Sequence, residues 1–89
     1  MDTSNLDQEE KFKQLLERAR KGVLKYLDEK GGELSLDELH EYSLKTFFIQ
    51  HQRFSQLMES LVESHFVYFD WTEQKATITP AGKEYWKKG

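Results

Sequence analysis

The 89-residue sequence lacks several features on which small proteins commonly depend. It has no cysteine, which excludes disulfide bonds and thiolate metal sites, so the core has to come from packing alone. It has no apolar run of about 18 residues, the length that could cross a membrane. Its N-terminal segment is acidic where a secretion signal is basic and then apolar. We therefore expect one small domain in the cytoplasm, without a membrane.

Patterns for catalysis and for metal binding are also missing. Asp37, His40 and Ser43 are the residue types of a nucleophilic triad, but they follow one another at three-residue steps on one predicted helix. Neither a nucleophile turn nor oxyanion donors accompany them. The three histidines lie 11 and 14 residues apart, without a His pair at helical spacing, and give no zinc signal. We expect no enzymatic activity, no metal and no cofactor.

Positive charge is in short supply. The formal net charge is -3, from 13 basic and 16 acidic residues. Residues 1–10 hold four acids and no base, so residues 11–89 carry 13 basic and 12 acidic residues, a net charge of +1. A nearly neutral body offers little of the phosphate neutralisation from which nucleic-acid affinity mainly comes.

Aromatic residues are plentiful, at 13%, and they join aliphatic residues in helical patterns. An apolar stripe with steps of three and four residues predicts a first long helix, which Gly31 and Gly32 end. We expect residues 1–9 to be a flexible acidic segment and residues 10–89 to form the domain. The stripe consists of Phe12, Leu16, Ala19, Val23 and Leu27.

Two shorter helices follow. Ser35 and Glu38 have the spacing of a capping box, which predicts a second helix from Leu36 to Ser43 or Leu44. The segment "LKTFFI" then interrupts the periodicity, and its two phenylalanines and isoleucine cannot all enter one small core. The segment "QHQRFSQLMESLVESH" restores the pattern and predicts a third helix.

The remainder of the chain predicts a hairpin and a last helix. The segment "FVYFDWTEQKATIT" is rich in aromatic and β-branched residues around a polar break, as a two-stranded hairpin requires. Thr79 can cap a short helix in which Pro80 takes the first position. We expect the following core: Leu16, Val23, Leu27, Leu39, Phe54, Leu57, Leu61, Val67 and Ile78.

The order of the predicted helices and strands resembles that of the winged helix-turn-helix domains of bacterial and archaeal transcription regulators. The resemblance covers roughly residues 10–88 and includes the segments "LSLDELHEYS", "RFSQLMESLVESHFVYF" and "ATITPAG". The resemblance implies an α+β winged helix with a three-helix core, a two-stranded β-hairpin wing and a short C-terminal helix. The segments "LVESHFV" and "ITPAG" occupy the places of the family signatures that enter and close the wing. His65 stands where a glycine is usual, and histidine tolerates a left-handed backbone better than most residues.

The resemblance also implies a function. In the family the third helix reads the major groove of duplex DNA, so the resemblance implies a DNA-binding protein with a role in transcription regulation. Gln52, Arg53 and Gln56 near the start of that helix are residue types that pair with base edges, and Lys75 in the wing would contact a phosphate.

An alternative is a protein-interaction module that keeps the fold without binding DNA. Residues 28–41 contain six carboxylates against Lys30 alone, and Glu73 accompanies Lys75 in the wing. Phe48 and Trp71 are candidate exposed aromatics of a partner-binding surface. The first two turns of helix one carry only two apolar residues, so we expect a monomer or a weak homodimer.

Overall fold

A computed structural model describes the backbone of residues 3–88 and the side chains of residues 10–88. Within that range the chain forms four helices and three strands in the order α1, β1, α2, α3, β2, β3, α4. The side chains of the predicted flexible segment 1–9 lie outside the described residues, although the backbone of residues 3–9 belongs to α1. The elements are α1 (Thr3–Glu29), β1 (Glu33–Ser35), α2 (Leu36–Phe47), α3 (His51–Glu63), β2 (Val67–Asp70), β3 (Lys75–Ile78) and α4 (Pro80–Lys88).

Helix α1 is the long element against which the others pack. Its 27 residues span ~40 Å at 1.5 Å per residue, while the molecule measures 46 × 27 × 22 Å. Gly22 sits within this helix, where a glycine destabilises by ~1 kcal/mol relative to alanine. The structure explains its presence, because a β-carbon at this position would overlap the ring of Phe47 from α2.

Helix α2 begins where the capping box predicts, since the Ser35 hydroxyl accepts a hydrogen bond from the Glu38 N–H at 3.3 Å. Its predicted end at Ser43 or Leu44 is wrong, because the helix continues to Phe47. The Phe47 ring packs against α1 at Gly22, which holds the last turn in place. Phe48 then ends the helix in the left-handed conformation, with φ 58°.

Helix α3 turns into the hairpin through His65. The His65 backbone is left-handed, with φ 61°, which confirms the expectation that a histidine can adopt this turn. Strands β2 and β3 pair antiparallel with Val67 opposite Ile78. Strand β1 pairs with the other edge of β3, so the sheet has three strands in the order β1-β3-β2 and not two.

Helix α4 confirms the predicted cap. The Thr79 hydroxyl accepts a hydrogen bond from the Gly82 N–H at 3.1 Å, and Pro80 occupies the first helical position. Gly82 is needed for close approach, because a β-carbon there would overlap the Phe66 carbonyl oxygen. The "ITPAG" segment therefore fastens α4 to the turn between α3 and β2.

The hydrophobic core lies between α1, α2, α3 and the sheet. Eight of the nine predicted core residues are buried, and Leu16 is only partly buried at its margin. The prediction omitted five buried residues: Ala19, Leu24, Ile49, Met58 and Ala76. Ile49 is buried and Phe48 is exposed, which confirms that the apolar residues of the "LKTFFI" segment do not all enter the core.

The chain is therefore an α+β domain in which four helices pack with a three-stranded antiparallel sheet. This element order is compatible with a winged helix. None of the described helices is both long enough and apolar enough to cross a membrane.

Candidate functional site

A groove of about 570 Å³ opens between the first two turns of α2, helix α3 and the end of the hairpin. Twelve residues line it, and α3 supplies most of them, from His51 to Glu63. The arrangement follows from the fold, because β2 leaves α3 through the His65 turn and returns alongside that helix. One flank of α3 is thus left open between the start of α2 and the end of the hairpin, which form the two walls of the groove.

The floor of the groove is an apolar stripe on α3. Phe54, Met58 and Val62 follow one another at four-residue steps, so they lie along one side of the helix. Phe54 and Met58 are buried, whereas Val62 is 40% exposed. The stripe therefore runs from the core out to solvent, and its outer end has no cover among the described residues.

The hairpin wall of the groove ends in Trp71. This side chain is 82% exposed, although its ring meets that of Phe69 edge-on, with 4.4 Å between centroids. The turn is fixed because the Asp70 carboxylate accepts hydrogen bonds from the N–H groups of Thr72 and Glu73, at 2.9 and 3.3 Å. A large aromatic ring is thus held at the mouth of the groove on an ordered turn.

The charged residues around the groove are all acidic. Asp37, Glu59 and Glu63 are among the twelve lining residues, and none of the twelve is a lysine or an arginine. Glu59 and Glu63 are one helical turn apart. Within residues 10–88, none of the three carboxylates forms an ion pair. The groove therefore combines an apolar floor with uncompensated negative charge.

Two histidines lie where α2 meets α3. The His40 ring packs edge-on against Phe54 and against His51, with 4.9 and 5.6 Å between centroids. The His40 Nε2 atom is buried and has no hydrogen-bond partner among the described side chains and backbone. The end of the groove near α2 therefore carries a polar group that the domain itself does not satisfy.

The predicted DNA-binding residues of α3 do not form one basic surface. Gln52 and Gln56 are exposed one turn apart and share their outward face with Glu59 and Glu63. The guanidinium of Arg53 instead lies 4.2 Å from the centre of the Phe12 ring on α1. The structure therefore brings the two glutamines together and directs the arginine away from them.

Lys75 in the hairpin is electrostatically compensated. Its Nζ lies 3.7 Å from Glu33 Oε1 and 3.5 Å from Glu73 Oε2. Two carboxylates beside one ammonium group leave a local excess of negative charge. The DNA-contact roles of Gln52, Arg53, Gln56 and Lys75 stay predictions.

The two predicted partner-binding aromatics are both exposed, but they lie at different places. Trp71 lines the groove, whereas Phe48, which is 83% exposed, does not. Phe48 caps α2 by donating its N–H to the Leu44 carbonyl at 3.0 Å. Their roles in binding stay predictions, and the geometry makes Trp71 the member of the pair that belongs to a concave site.

A second, smaller cavity lies beside the stacked rings of Tyr26 and Tyr42, whose centroids are 4.0 Å apart. Burial raises the pKa of Tyr42 above its ordinary value. On the rim, a hydrogen bond from Lys45 holds the pKa of Glu41 below its ordinary value, and the same contact raises the pKa of Lys45. Glu41 and Lys45 neutralise each other, which leaves Glu38 as the one lining carboxylate without an ion pair within residues 10–88, against three in the groove.

Sequence reasoning missed the groove as a site. In the sequence, Met58 and Val62 are only part of the helical pattern of the segment "QHQRFSQLMESLVESH", and Glu59 and Glu63 belong to no recognisable motif. The available signal was a four-residue apolar step with an acidic four-residue step immediately beside it. This pattern of residues identifies a binding site only when the position of the hairpin is known.

Comparisons with known proteins give no relative from which a function could be transferred. No protein-family model, no curated protein and no solved structure matches the chain. The likeness to winged-helix domains therefore rests on the motifs and on the element order.

Among the described residues no group of three or more His, Cys, Asp or Glu side chains is placed to hold a metal ion. The side chain of Ser43, which with Asp37 and His40 gave the residue types of a nucleophilic triad, is fully buried.

Proposed function

We propose that the chain is a winged-helix domain that serves as a protein-interaction module and binds a segment of a partner protein in the groove of α2, α3 and the hairpin. The observation that carries this proposal is the lining of the groove, which combines an apolar floor, an exposed tryptophan and carboxylates without any lysine or arginine. Exposed aromatics beside apolar clefts are typical of protein-binding surfaces.

The electrostatics of the helix-turn-helix pair favour this function over phosphate binding. Residues 36–63 contain five acidic and two basic residues, a net charge of -3. Of the two bases, Lys45 is bonded to Glu41 at 2.7 Å and Arg53 lies over Phe12. A duplex approaching α3 would therefore meet carboxylates and little to neutralise its phosphates.

Sequence-specific DNA binding is the second candidate function, and with it a role in transcription regulation. The exposed pair Gln52 and Gln56 favours it, because glutamine can bond to adenine in the major groove. Affinity in that case would have to come from base contacts and dimerisation, since the surface around the pair is acidic.

One experiment separates the two candidates. A displayed library of random peptides is selected against the full chain and against Val62→Arg, which fills the groove mouth at a residue that is 40% exposed. In parallel, fluorescent random-sequence duplex DNA is titrated at low salt, where a phosphate-binding surface gives dissociation constants of ~10⁻⁴ to 10⁻⁶ M.

We expect peptides that bind the wild-type chain and not Val62→Arg, and no binding of DNA at tens of micromolar. DNA binding in that range, together with peptides that do not distinguish the two proteins, would reverse the order of the candidates. Thermal unfolding of Val62→Arg serves as the check that the variant is folded.

A further inference from the structure

We infer that the segment bound in the groove is cationic and amphipathic, with an apolar face against the α3 stripe and lysine or arginine side chains beside the carboxylates of the rim. This inference rests on the proposed function and adds the chemistry of the partner. Its grounds are the geometry of the floor, the charge of the rim and the packing of the chain's own basic tail.

The floor fits the apolar face of a helix. Phe54, Met58 and Val62 span ~12 Å along α3, and a row at four-residue steps is a ridge against which the ridges of another helix pack. Trp71 stands across from this row and gives the groove a second apolar wall. A helical segment with apolar residues at steps of three and four would cover both walls at once.

The rim sets the sign of the partner's charge. Glu59 and Glu63 form a second row directly beside the apolar stripe, and Asp37 closes the side of α2. A cleft lined by one sign of charge attracts the opposite charge and repels its own, which contributes to specificity. Arginine has a further contact available, since its guanidinium can stack on the exposed ring of Trp71.

Two other occupants are disfavoured by the charges and by the packing. A second copy docked through the same face would bring together two surfaces on which α2 and α3 jointly carry a net charge of -3 per copy. The chain's own basic segment near its C-terminus is engaged elsewhere, because Tyr85 stacks on Phe66 and Trp86 donates a hydrogen bond to Asp28. The remaining occupant is a cationic segment of another protein.

The test uses the full chain and three fluorescein-labelled helical peptides. The peptides share one Leu and Trp face and differ only in their polar positions, which are all Lys, all Gln or all Glu. We expect the Lys peptide to bind about tenfold more tightly than the Gln peptide and the Glu peptide to bind most weakly. The Lys preference should shrink as the salt concentration rises, because exposed charges are screened.

Variants of the chain locate the effect. Glu59→Lys combined with Glu63→Lys should remove the preference for the Lys peptide and strengthen binding of the Glu peptide. The matched control is Glu10→Lys combined with Glu84→Lys, which changes the net charge equally at exposed positions on α1 and α4. This control should keep the preference, and Val62→Arg should weaken binding of the Lys and Gln peptides.

The outcomes separate this inference from the proposed function. Equal binding of the Lys and Gln peptides, lost in Val62→Arg, would overturn the cationic partner and leave the groove as a protein-binding site. Lys-peptide binding that survives both Val62→Arg and the Glu59 and Glu63 reversals would overturn the inference. The lysines of the peptide would then be bound by a surface other than the rim of the groove. Absence of any groove-dependent peptide binding would overturn both.

Discussion

Aromatic side chains are packed differently on two sides of the domain, the side of α1 and α4 and the side of the groove. On the side of α1 and α4, Tyr85 stacks on Phe66 with 4.4 Å between ring centroids, and the Arg20 guanidinium lies within 5.4 Å of both rings. Trp86 donates its indole N–H to Asp28 Oδ2 at 3.1 Å. Each large ring here has partners within the domain.

On the side of the groove, the large apolar groups lack such partners. Trp71 touches Phe69 only by its edge and exposes 82% of its surface, and Val62 exposes its end of the α3 stripe. On the side of α1 and α4, the large rings are therefore covered by contacts within the domain. On the side of the groove, the apolar residues are ordered but are not covered by the described part of the chain.

Charge follows the same division. Residues 10–29 of α1 together with α4 hold nine basic and five acidic residues, a net charge of +4, whereas residues 36–63 have a net charge of -3. In a DNA-binding winged helix the second of these regions would carry the positive charge. Here the positive charge lies on α1 and α4, which supports the proposal of a protein partner in the groove.

The largest expected effect is on the core that both sides share. Leu57 is fully buried on the inner flank of α3, so Leu57→Ala should lower the free energy of unfolding by ~2–5 kcal/mol. Ser55→Ala, on the exposed groove flank of the same helix, is the control and should change it by less than ~0.5 kcal/mol. Urea denaturation measures both, and similar losses in the two variants would contradict the assigned faces of α3.

The next largest effect is a difference in stability between variants of the two tryptophans. Trp86→Ala removes a half-buried ring and its hydrogen bond to Asp28, so we expect a loss of ~2 kcal/mol in the free energy of unfolding. Trp71→Ala should stay within ~0.5 kcal/mol of wild type, because its ring is mostly in solvent. Thermal and urea unfolding of both variants give the comparison, and a destabilised Trp71→Ala would mean that the groove wall is structural.

A smaller effect concerns Phe48, whose left-handed backbone favours glycine. Phe48→Gly should raise the free energy of unfolding by ~0.5–1 kcal/mol, since the left-handed strain is relieved against a modest entropic loss. Phe48→Ala is the control, because it removes the ring and keeps the strain, so its stability should stay near that of wild type. Neither variant should weaken binding in the groove, which Phe48 does not line.

A further effect appears only in alkaline solution. Burial, with a hydrogen bond to Glu17, raises the pKa of Tyr85 from 10.0 to about 12. Because the folded pKa lies above the unfolded one, the associated stability is complete below pH 10 and is lost as the pH rises from 10 towards 12. Tyr85→Phe should lack this loss. Absorbance titration of the tyrosinates, compared between the two proteins, should assign the highest transition to Tyr85, and an unchanged titration would contradict this environment.

Much of the fold could be predicted from local chemistry in the sequence. Ser35 and Thr79 are caps whose partners lie three residues away, so their role does not depend on the tertiary structure. The left-handed turn at His65 was expected from the resemblance, which has a glycine at this place. The end of α2 was not, because Phe47 stays helical through its contact with Gly22, which lies 25 residues earlier in the chain.

The groove itself depends on distant contacts, and this is why it escaped prediction. Residue types alone made Arg53 and Lys75 candidates for phosphate or base contacts. Their partners Phe12 and Glu33 lie about forty residues away, so only the packed chain shows these two contacts, whereas the pairing of Lys75 with Glu73 is local. Trp71 could be expected to be exposed, but its place opposite the α3 stripe follows from the direction of the hairpin.

The most direct test of the docking surface is a titration of ¹⁵N-labelled full-length chain with the Lys peptide, followed by amide and indole chemical shifts. We predict shifts that concentrate on α3, on the first turns of α2 and on the Trp71 indole, with α1 and α4 unchanged. An equivalent titration with random duplex DNA at low salt should leave the α3 signals in place. Peptide shifts on α1 and α4, or DNA shifts centred on Gln52 and Gln56, would contradict the account.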